Sequence, residues 1–236
     1  MSRKLILSAL IVLSLVGMAM AEDAKPLQLA LFNPVQMVPE TKSIAGVSLG
    51  LIYTVNKDVT GFSLTILGVN RATGDVKGVE WGLGNWVDGL CYGWQDGFLN
   101  RVGTRFVGFQ DGLVNITQGD LTGVQLGAVN WTDGFVHGTQ MGIFNYSVGR
   151  FIGFQGGLVN VAKGEFSGAA LGIVNYAEGP VKGFQGGIVN SAGEMHGFQL
   201  GLVNYTKSLD GLQIGLCNYN GNKKPMEFMV LVNWSF

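Results

Sequence analysis

Three acidic residues occupy related places in this chain: Glu80, Asp96 and Asp111, the last two 15 residues apart. Paired carboxylates can bind calcium or perform acid/base work, so Asp96 and Asp111 form the candidate metal pair, with Glu80 just before them. No third acidic residue joins them at that place, and between antiparallel neighbours equal places need not meet. Solvated or turn-capping carboxylates are the simpler reading. His137 and His196 lack acidic or cysteine companions and make a poor metal site. The serines and threonines form no G-x-S-x-G elbow. The run GVNRATG, Gly68 to Gly74, has glycines but no phosphate-loop lysine in the required place. Cys91 and Cys217 occupy different places in the pattern described next, and read as small buried hydrophobes rather than a bridge. The sequence therefore names no catalytic residue and no cofactor, and the chain reads as non-enzymatic.

What does recur is structural. GFQGGLVN, from Gly153 to Asn160, returns as GFQGGIVN from Gly183 to Asn190. Units of the form G-x-Q-x-G-x-x-N open at Gly78 and then every 15 residues to Gly183, with Gly197 and Gly211 following at 14. The opening Gly, the second Gly and the Asn are present in all 10 copies, and the Gln place holds Gln in 8, with Glu80 and Ala170 the exceptions. Gly153, Gln155, Gly157 and Asn160, with Gly183, Gln185, Gly187 and Asn190, are the repeat positions in their clearest form. Degenerate copies precede them at Gly46 to Tyr53 and Ser63 to Asn70. A helix is excluded, because each glycine inside it would cost about 1 kcal/mol and the apolar places run two apart. Alternation of that kind predicts strands with two unlike faces. On one face the second and fourth places trade volume, Phe154 with Gly156 and Phe184 with Gly186. Matched volumes suit a close-packed surface, so this face is expected to pack inside.

Strand direction is read from the connectors. Asp88-Gly89, Asp133-Gly134 and Asn220-Gly221 are hairpin dipeptides, favoured by type I′ turns. They predict an antiparallel meander of about 14 short strands, from Leu27 to Phe32 through Phe228 to Phe236, closed as a shallow barrel that removes the sheet edges. The competing architecture is a parallel β-solenoid with about 15 residues per coil, in which Asn and Gly stack at fixed places.

Residues 1–21 read as a cleaved secretory signal: Arg3 and Lys4, an apolar run from Leu5 to Val16, and Ala19-Met20-Ala21. Residues 22–236 then form a single β-repeat domain, with clear repeats over 78–219 and a closing strand over 227–236. Removing Arg3 and Lys4 takes the formal charge from −1 to −3, which argues against a nucleic-acid partner. Charged residues make up only 13% of the chain, about half the usual share. Val232, Trp234 and Phe236 fall on one face of the last strand, which resembles the terminal insertion signal of bacterial outer-membrane β-barrels. The repeat resembles bacterial surface proteins built from tandem G-L-Q-x-G-L-V-N units. Together these resemblances imply a cell-envelope location, with outer-membrane lipid and the barrel-assembly machinery as partners. The expected role is an outer-membrane-associated barrel, structural or a passive channel. The alternative is a secreted or surface-displayed β-solenoid that binds a partner or glycan along one face. Aromatic residues after the Asn, among them Trp86, Trp131, Tyr146 and Tyr205, form either an interfacial girdle or a cover for glycine-rich neighbours.

Overall fold

Each repeat opens on a glycine that could be nothing else. Twelve of these, from Gly46 to Gly211, have φ between 126° and 155°, a region that side chains with a Cβ rarely enter. A Cβ on Gly153 would also overlap the carbonyl oxygen of Gly138, the same place one repeat earlier. The chain bends at these glycines and passes each repeat close over the last. A computed structural model describes residues 24–236; the signal expected over residues 1–21 lies outside the described residues. The fold is an all-β parallel solenoid of about 13 turns with about 15 residues per coil. Two compact units divide it, the first ending at Gly112 and the second running over Leu113–Phe236.

In the first unit the strands Lys25–Phe32, Ile44–Gly50, Val59–Ala72, Val76–Val87 and Cys91–Val102 stack in parallel. Gln28, Ser48, Ser63, Glu80 and Gln95 fall in one column. Val35–Gln36 folds back antiparallel on the first strand. There Gln28 donates Nε2 to the Val38 carbonyl at 2.9 Å and accepts from the Val38 amide at 2.8 Å.

The second unit stacks Asp120–Thr132, Val136–Ser147 and Phe151–Ala162 in parallel, each residue facing its counterpart 15 places on. The shorter strands Phe166–Leu171 and Val174–Ala177 continue the series, and the offset becomes 14 where Gly183 faces Gly197 and Gly197 faces Gly211. The last strand, Phe228–Ser235, reverses and pairs antiparallel with Val203–Asn220, placing Asn233 opposite Gln213.

Neither an antiparallel meander nor a shallow barrel is formed, and the reason lies in the connectors. A type I′ turn needs positive φ at both central residues, yet none of the connector glycines is among the positive-φ residues. They serve stacking instead: a Cβ on Gly134 would come within 2.5 Å of the Gly119 carbonyl oxygen. The Asp-Gly signal thus marks close approach between successive coils rather than chain reversal.

A coil this small encloses few side chains. Phe151, Gln155, Asn160 and Ala162 are the inward residues of their coil, all essentially inaccessible. Half of that core is polar, so its amides must find partners within the stack. In the second unit the Asn column does this throughout: Nδ2 of Asn115, Asn130, Asn145, Asn160, Asn175, Asn190 and Asn204 each donates to Oδ1 of the next Asn at 2.8 to 2.9 Å. The same nitrogen reaches a backbone carbonyl of the next coil, as from Asn145 to Gly156 at 2.9 Å and from Asn160 to Leu171 at 2.9 Å. The Gln column runs the other way. Gln155 donates to Gln140 at 2.9 Å, Gln140 to Gln125 at 2.8 Å, and beyond Ala170 Gln213 donates to Gln199 at 2.8 Å and Gln199 to Gln185 at 2.7 Å. Asn233 extends this column by donating to Gln213 at 3.0 Å, and Lys223 Nζ donates to Asn233 Oδ1 at 3.0 Å.

Candidate functional site

With the Gln and Asn places turned inward, the second, fourth and sixth places must face out. The face expected to pack inside is therefore the outer one. It remains apolar: Ile143, Leu158 and Leu202 are 56%, 50% and 50% exposed. In the second unit no charged residue occurs within the first ten places of any coil; the charges are confined to the connectors. The volume exchange read from the sequence is real and lies on this surface. Phe154 lies over Gly156, where a Cβ would come within 2.7 Å of the ring, and Phe184 lies over Gly186 at 2.8 Å. Near the end of the stack Leu171, Phe184, Ile188, Leu200, Leu216 and Val232 line a shallow apolar hollow of about 800 Å³.

The remaining outer surfaces differ in kind. Connector charges pair across coils, Lys163 with Glu178 at 2.6 Å and Glu165 with Lys182 at 2.8 Å; Lys182 holds the Glu165 carboxyl below its usual range. Such exposed, solvent-screened pairs contribute little to stability. The aromatic residues after the Asn stack on one another: Trp131 on Tyr146 with centroids 4.0 Å apart, and Tyr205 on Tyr219 at 5.2 Å. In the first unit Trp86 sits between the guanidinium groups of Arg71 and Arg101, 5.4 and 4.5 Å from its ring. Ring faces used in this way are not offered to a sugar.

Asp96 and Asp111 do occupy equal places of adjacent coils, because parallel stacking aligns what antiparallel pairing need not. Asp96 accepts a hydrogen bond from the Trp81 indole, and the backbone carbonyl of Asp111 accepts from Asn100 at 2.8 Å. Among the described residues no group of three His, Cys, Asp or Glu is placed to hold a metal ion. His196 lies 3.2 Å from Asp210 on the exposed edge, while His137 lies beside the Phe135 ring. Cys91 is buried in the first unit and Cys217 is partly exposed in the second; both are free thiols. Val232 and Trp234 point outward from the terminal strand and Phe236 is 95% exposed.

Among the described residues Glu80 is the one acidic side chain buried in the core of the first unit. It accepts from Gln95 Nε2 at 2.7 Å, while its Oε1 has no partner. Burial pushes its carboxyl up to about 7, against the lowering effect of the Gln95 bond. Burial, and then the nearby Glu80, push the Cys91 thiol up as well. A carboxyl raised by folding binds its proton more tightly in the folded chain. Its stabilising contribution is full below about pH 4.5 and is lost as pH rises through about 7. Glu80→Gln is accordingly expected to raise stability by about 3 kcal/mol above pH 7 and to flatten the decline between pH 5 and 8. Urea unfolding at several pH values reads this directly, and an unchanged slope with pH would refute it. In the sequence Glu80 stood out as the acidic exception at the Gln place, just before Asp96 and Asp111; the signal for its burial was that every other occupant of the place is uncharged.

No protein family, curated protein or solved structure matches the chain.

Proposed function

We propose that this chain is a non-enzymatic, exported β-solenoid, displayed at the cell surface, whose flat apolar outer face binds a partner. The observation that carries this reading is that outer face in the second unit, uncharged across every coil. Single exposed apolar residues are ordinary, whereas a contiguous patch beyond roughly 300–600 Å² marks an interaction surface. The stacked aromatic column favours an apolar partner over a glycan, because its ring faces are already occupied. Export rests on the run from Leu5 to Ala21, and display on the resemblance of the repeats to bacterial surface proteins.

The test is binding of an environment-sensitive apolar dye to the folded chain. Leu158→Lys with Leu202→Lys is expected to remove at least half of the dye signal while the far-ultraviolet spectrum stays that of the parent. Both side chains are half exposed, so the fold tolerates the change. A folded, monomeric parent protein that binds no dye, or a double variant that binds it equally well, overturns the reading. Protease shaving of intact producing cells tests display, and protection of the chain there would overturn that part.

A further inference from the structure

We propose that the partner of this face is a second copy of the same chain, packed sheet to sheet through the second unit. The inference rests on the reading that the outer face is a binding surface, and names its occupant.

The first argument is size. The seven coils opening at Gly123 through Gly211 and the terminal strand carry the face. At about 4.8 Å per strand and about 3.3 Å per residue from the second to the seventh place, it measures about 38 by 17 Å, or roughly 650 Å². Face-to-face packing of two copies buries roughly twice that, within the range of about 1,200–2,000 Å² of stable specific interfaces. The second argument is relief. Outward side chains recur coil after coil, with Leu171 and Leu200 nearly half exposed on either side of Gly186, whose place the Phe184 ring fills. Two sheets pack at about 10 Å by interleaving such side chains. A second copy matches this spacing by construction, because both faces are set by the same coil repeat. A two-fold axis lying between the copies and parallel to their faces then lets the outward side chains of each interleave. The third argument is charge. The face carries none, and the rim holds both signs already paired, Lys163 with Glu178 and Lys182 with Glu165. Lipid-surface binders rely instead on a lysine- and arginine-rich polar side, which this rim does not supply.

Sedimentation velocity of the full chain decides the matter, run beside flotation with neutral phosphatidylcholine vesicles. The expected result is a species of about twice the 25.2 kDa chain mass that does not float, and at least a tenfold weaker association in Leu158→Lys/Leu202→Lys with the fold retained. A dimer unaffected by those substitutions overturns the proposal. A dye-binding monomer that floats with the vesicles also overturns it and assigns the face to lipid, leaving the binding-face reading intact. A monomer that binds neither dye nor vesicles removes both.

Discussion

Gly153→Ala is expected to destabilise the second unit by about 4 kcal/mol or more, enough to leave it largely unfolded at room temperature. Two separate costs combine. The backbone at Gly153 has φ 138°, and a residue forced into such a sparsely populated region costs about 1–3 kcal/mol. The added methyl would also overlap the Gly138 carbonyl, an atom fixed by the stack below. Gly156→Ala, three places on, provides the control. Its Cβ would crowd the ring of Phe154 at 2.7 Å and meet Met141 at an ordinary 3.8 Å; the ring can swing outward from a surface position, so a cost under about 1 kcal/mol is expected. Urea denaturation of the pair separates the two roles of glycine, and equal losses would show that the opening glycine is not special.

Asn160→Asp is expected to cost about 4 kcal/mol at neutral pH, because it places an unpaired charge in the core. The Nδ2 that now donates to Leu171 and Asn175 would become an oxygen facing two acceptors. The carboxyl would be raised by that burial, so its penalty is small below about pH 4, where the unfolded chain is also protonated, and grows as pH rises. Stability of the variant measured from pH 3 to pH 8 should therefore fall more steeply than the parent's, which carries only the decline due to Glu80. A parallel pair of curves would remove the Asn column from its supporting role. Coils contact only their neighbours, so loss at a middle coil severs the stack, whereas the same change at Asn218, whose Nδ2 bonds within its own coil to Gly215, should cost less.

How much of this was legible in the sequence depends on the residue. The repeat positions Gly153, Gln155, Gly157 and Asn160 were visible as invariances, and Phe154 covering Gly156 could be read from volumes alone. Strand direction could not, because Asp133-Gly134 satisfies both a hairpin turn and a close-stacked connector, and only the constant 15-residue step distinguishes them. The inward turn of Gln155 and Asn160 was hidden for another reason: amides usually face water, and only a ladder of identical amides on neighbouring coils makes their burial inexpensive. Once those places face inward, the apolar ones have nowhere to go but out. The outer face was thus obscured by the rule that apolar residues belong inside, which fails when a coil encloses so few side chains.

The two amide columns have one more consequence. Aligned amides sum their dipoles as peptide units do along a helix, and here the columns run head to tail in opposite senses, Asn donors toward the chain's end and Gln donors toward its start. Within the second unit their fields oppose each other, so a long stack accumulates little net polarity. Where a Gln column ends, its terminal charge is met in kind. In the first unit the donors of Gln110 and Gln95 lead to the acidic Glu80 at 2.7 Å each. In the second, the last oxygen, on Asn233, receives the cationic Lys223 at 3.0 Å. An acid at the donor end and a base at the acceptor end are the pairing that a helix uses for its own termini, carried out here by side chains.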